Sequence, residues 1–179
     1  MPHGNPEPSI PYEPHDLDEP TAHEAVVAVI EGARTYPVTP GPTGLFTTAR
    51  HISLISHLVN RFSDDALHHA RQTCDYPALP QHTSAFLTTA AIPLATALVH
   101  DARATVPLAA LSAPGQALTM TAALDRIELR NALRTHLAAA HRSLTEARAD
   151  LPSEPTAPSS PADPAPVPPT AGTTNGVRR

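Results

Sequence analysis

The chain has no lysine and no tryptophan, and carries one cysteine, seven glycines, three phenylalanines and three tyrosines in 179 residues. Each shortage removes something. A single cysteine cannot form an internal disulfide, so the fold must rest on its own core, and a reducing compartment fits. Without lysine there is no Walker A loop, and neither G-x-G-x-x-G nor G-x-S-x-G occurs. With so few aromatic rings, base stacking has little to work with. The core must therefore come from Leu, Ala, Val and Ile. Ala and Leu lead the helix propensities, whereas strands favour β-branched and aromatic residues, so the chain reads as all-α.

Long apolar runs are missing too. The longest uncharged one, Ser84 to Val99, is shorter than the ~20 residues that span a bilayer, and Pro93 interrupts it. Met1 to Pro20 lacks the basic start and apolar stretch of a signal peptide. No membrane association is expected, and the cytoplasm is the expected location. With every fixed side-chain cation an arginine, and with Ala, Pro, Thr and His abundant, the composition has the texture of a GC-rich bacterial genome. That texture weakens any argument from the eleven histidines.

The net charge of −5 is unevenly spread. Residues 1–24 hold six acids and no arginine, whereas 25–151 hold nine acids against ten arginines. A nearly neutral centre disfavours nucleic-acid binding, which rests first on clustered positive charge.

Three regions follow from composition: an acidic, proline-rich segment at 1–19, a helical domain at 20–151 and a Pro/Ala-rich tail at 152–179. Both ends read as disordered. In the tail, Pro152, Pro155, Pro158, Pro161 and Pro164 recur every third residue, the period of polyproline II, and read as a stiff spacer more than as a ligand.

Within the domain the pattern predicts a bundle of four or five helices with a long C-terminal helix. Thr21 and Glu24 form a capping box ahead of Val26, Val29, Ile30 and Ala33. Ala49, Ile52, Ile55, Val59 and Phe62 mark a second, amphipathic helix. Ser63 reads as the N-cap of a separate short helix to about Cys74, in which Cys74 packs as a small apolar residue. A helix over 83–103 is apolar nearly all round and is expected to be surrounded, with Pro107 and Pro114 bracketing a linker. The last helix, about 115–150, is expected to be the longest. It carries one stripe through Ala117, Met120, Leu124 and Ile127, and another from Leu129 to Leu151 on the opposite side.

The functional readings are correspondingly spare. No catalytic residue or cofactor site is expected, and the chain reads as non-enzymatic. The leading expectation is a protein-interaction or assembly module, with a protein partner or self-association. Its surfaces would be the late seam (Leu133, Leu137, Leu144) and the ridge Arg126, Arg130, Arg134, although internal packing is the plainer role for the seam. The alternative is metal or small-ligand binding at Asp64, Asp65, His68 and His69, where each acid lies one helical turn below a histidine. Acids at a helix start and bases further along also suit the helix dipole without any metal. Nucleic-acid accessory binding through the arginine ridge is the weakest reading.

Overall fold

The computed structural model describes residues 12–75, 82–113 and 119–152, so the first eleven residues and the proline-repeat tail lie outside it. The described residues are all-α. A 3-10 turn, Pro14–Leu17, precedes four helices: α1 (Ala22–Thr35), α2 (Pro42–Asp75), α3 (His82–Ser112) and α4 (Met120–Ala149). The Thr21 capping box forms as its sequence predicts: the Thr21 hydroxyl accepts from the Glu24 amide at 3.3 Å, and the Thr21 amide donates to the Glu24 carboxylate at 2.9 Å.

Each helix runs opposite to the one before it, in the up-down order of a four-helix bundle. Phe62 of α2, Leu87 of α3 and Leu144 of α4 share one apolar cluster, whereas Leu45, Leu111 and Leu133 meet in a second at the other end. α3 packs against α2 and α4, and α1 closes the remaining side by touching α2 and α4. The loop before α2 is held close. Gly41 takes a positive φ of 133° and its amide donates to Ser112 Oγ at 2.8 Å, while a Cβ on Gly44 would overlap the Thr39 carbonyl.

Several expectations need correction. Ser63 caps nothing: its hydroxyl donates back to the Val59 carbonyl at 2.7 Å, and α2 continues for 34 residues as the longest of the described helices. Nor does Pro107 open a linker. α3 runs through Pro93 and Pro107 because Leu108 and Leu111 beyond them are buried, and tertiary packing outweighs one missing hydrogen bond per proline. Although by length and composition α3 is the one described helix apolar enough to cross a bilayer, it is not surrounded. Ile92, Val99 and Val106 stand exposed along its outer side.

Residues 12–19, grouped by composition with the disordered end, are fixed on α2. Leu17 is buried among Val26, Leu58 and other core residues. Arg61 donates to the carbonyls of Leu17 and Pro20, Arg50 bonds the Glu13 carboxylate at 2.9 Å, and His57 Nε2 lies 2.7 Å from Asp18. One apolar plug and satisfied backbone carbonyls hold a segment whose composition alone would leave it loose.

Candidate functional site

The buried face of α3 follows a strict heptad. Leu87, Leu94, Asp101 and Leu108 recur every seven residues, and Ala90, Ala97, Ala104 and Leu111 fill the alternate positions. An aspartate therefore stands where the register calls for leucine. On α2, His51 similarly lies seven residues before the buried Leu58. These two polar side chains fall in the same layer of the bundle, between its two apolar clusters.

That layer contains a cavity of about 390 Å³ to which all four helices contribute. Val29, Ile55, Leu137, Ala140 and Leu144 give it apolar walls, with Val38 from the loop after α1. Asp101 and His51 supply polar groups inside, and the exposed Arg34 and His141 stand at the rim. At the ~30 Å³ that one water occupies in the liquid, the space holds roughly a dozen non-hydrogen atoms. It falls within the size range of small-molecule sites.

The polar groups inside are unusual in having no partner. The neighbouring buried threonines satisfy themselves on their own helix, Thr47 donating to the Thr43 carbonyl and Thr48 to the Gly44 carbonyl, each at 2.9 Å. Asp101 is only 3% exposed, and among the described residues no hydrogen bond or ion pair acts on its carboxyl. Burial alone pushes its pKa up to about 7. His51 is 5% exposed, its Nε2 is buried without a partner, and burial pushes its pKa down to about 4. Near neutral pH the cavity thus holds an acid in its titration range and a neutral imidazole, both lacking protein partners among the described residues. Buried polar groups left this way cost stability, and native proteins keep few of them.

The residues singled out from sequence are not drawn together into a site. Asp65 lies 3.6 Å from Arg61 Nε, His68 Nε2 is 2.8 Å from Gln72 Nε2, and Asp64 is exposed. The rings of His68 and His69 are 6.0 Å apart in an edge arrangement. Among the described residues no group of three His, Cys, Asp or Glu side chains is placed to hold a metal ion. Cys74 is exposed rather than packed, beside a broad open groove between the end of α2 and the start of α3. Leu67 and Ala70, on the same side of α2, are exposed as well, so this face is not covered by the other described helices.

The late seam of α4 is core. Leu133 and Leu144 are buried and Leu137 packs against the second cluster, so these leucines are spent on the chain's own helices and offer no surface to a partner. Met120, Leu124 and Ile127, on the opposite side, are the large apolar residues that this helix exposes. The arginine ridge is uneven: Arg130 and Arg134 are exposed, whereas Arg126 is half-buried with its Nε enclosed and unpartnered. The acidic N-terminal segment pairs with α2 instead.

Neither Asp101 nor His51 is among the candidate site residues that the sequence suggests. The signal was present as an aspartate interrupting an alternating Leu/Ala heptad, visible once the period is counted as seven rather than as a general apolar surround. Comparison with protein families, with curated proteins and with solved structures finds no match for this chain.

Proposed function

We propose that this chain is a non-enzymatic small-ligand-binding protein whose site is the cavity between the four helices. The observation that carries this reading is Asp101, a carboxyl placed in a leucine position of the core and left without a protein partner beside an apolar space. A fully apolar layer would serve the fold better, so the polar pair is best accounted for by something that enters the cavity. The ligand-binding alternative thereby moves from Asp64–His69 to the layer of His51 and Asp101.

The test is a fragment panel screened by ligand-observed NMR against the wild type and Ala140→Phe, which places a ring in the cavity. Fragments that compete for one site in the wild type and are lost in a folded Ala140→Phe variant are expected. Fragment binding unchanged by Ala140→Phe, or none at all, defeats the reading.

A second reading, an interaction or assembly module, draws support from the exposed rows Ile92, Val99, Val106 and Met120, Leu124, Ile127. It expects the native mass of the full chain to exceed that of a monomer and to fall to the monomer value in Val99→Glu with Val106→Glu. A monomeric wild type counts against it.

A further inference from the structure

Resting on the ligand-binding reading, we propose that the cavity takes a small ligand with an apolar body and one ammonium group, bound by the Asp101 carboxylate.

The geometry selects among ligand classes. The walls are aliphatic, from Val29, Val38, Ile55, Leu137, Ala140 and Leu144, so the ligand's bulk is hydrocarbon and has no need of many polar groups. Too few protein ligands gather here for a metal ion. An anion would meet Asp101 inside, while the one arginine lining the cavity, Arg34, is exposed and lies 3.9 Å from Glu31. An ammonium group supplies what the Asp101 carboxylate lacks. Its N–H bonds donate to the carboxylate oxygens of Asp101, while the ring of His51 lines the same space. His51 does not compete as a cation, because burial holds it neutral. A charge-assisted bond to a desolvated carboxylate is also the strongest contact such a site offers.

Binding is then coupled to a proton. The ammonium group requires ionised Asp101, and burial sets that ionisation near neutrality. Of the groups around the cavity, Arg34 faces it from α1, His51 from α2 and His141 from α4, with His100 next to Asp101 on α3, its ring 6.0 Å from that of His136. The coupling is assigned to Asp101 alone.

The experiment is calorimetric titration of the full chain with 2-phenylethylamine and with its neutral isostere 2-phenylethanol at pH 8 and pH 6. One amine is expected per chain, with affinity about tenfold or more above the alcohol at pH 8 and about tenfold weaker at pH 6, where most of Asp101 carries its proton. Asp101→Asn is expected to fold, because it removes a buried charge, and to abolish both the preference for the amine and its pH dependence. His141→Gln and His100→Gln are expected to retain both. If the alcohol binds as tightly as the amine, the ammonium assignment is overturned while the cavity reading stands. If Asp101→Asn keeps the preference, the carboxylate is not the site and the assignment also falls. If neither probe binds, the ammonium assignment is rejected, and the fragment panel decides separately whether the cavity binds anything.

Discussion

The two ends of the bundle share leucine and alanine as core residues yet are built differently. At one end, α1 and Leu17 close over a large cluster centred on Leu54, Ile55, Leu58, Phe62 and Leu94. Among the described residues, the other end has Ala104, Leu108, Leu111 and Leu133 at its centre. α1 is the cause: at 14 residues it reaches less than half the length of α2, so it covers one end and runs out at the layer of His51 and Asp101. The cavity lies where cover ends, with Ala33 and Arg34 from the last turns of α1 on its edge. A bundle with one short helix leaves such a space without breaking the heptads of the others.

The comparison can be broken most severely at Leu133. Leu133→Asp buries an unpaired charge in the smaller cluster and is expected to unfold the chain, read as loss of the helical circular dichroism signal at 25 °C. A folded monomer carrying this change would mean the smaller end contributes little. Next in size, Phe62→Ala in the larger cluster is expected to cost about 3–5 kcal/mol, against roughly 2–3 for Leu111→Ala, which is less enclosed. Urea unfolding that ranks the two in reverse would contradict the assignment of the main core to the α1-covered end.

The layer between them predicts stability gained by mutation. The unfolded Asp101 titrates near 3.8 and the folded one near 7, so its cost to folding is absent below about pH 4, grows with pH and is complete above pH 7. Asp101→Leu, which restores the heptad, should add up to about 4 kcal/mol at pH 8 and much less at pH 4. His51 slopes the other way. Its folded pKa near 4 lies below the unfolded 6.5, so its contribution is complete above pH 6.5 and is lost as pH falls toward 4. The wild type is therefore expected to be nearly flat across that window, whereas Asp101→Asn alone should lose stability on acidification. A flat Asp101→Asn profile would show that the histidine is not titrating there. The smallest effect concerns the start of α1: Thr21→Ala removes the cap and should lower stability by about 1 kcal/mol, measured by thermal melting.

Much of the fold was legible in local patterns. The capping box at Thr21 depends on residues three apart, and the seam from Leu129 to Leu151 on one helical period, so both could be read without knowing what they touch. The failures came where a local rule met a distant partner. Ser63 looks like a cap, but the helix it sits in is held on both sides by packing. Pro107 looks like a break, but Leu108 and Leu111 anchor the turn beyond it. Residues 12–19 look loose, but Arg50, His57 and Arg61 are waiting on α2.

The sequence by itself determined an all-α chain with a Leu/Ala core, because propensity, period and the scarcity of aromatics all depend on residues near each other. It also contained the aspartate in a leucine position. Only the tertiary structure decided what that aspartate means. Four helices had to be brought together to place Asp101 and His51 in one layer, leave both without partners and open an apolar space beside them. Burial, which sets the charge of both groups, is a property of the assembled bundle and of no segment within it.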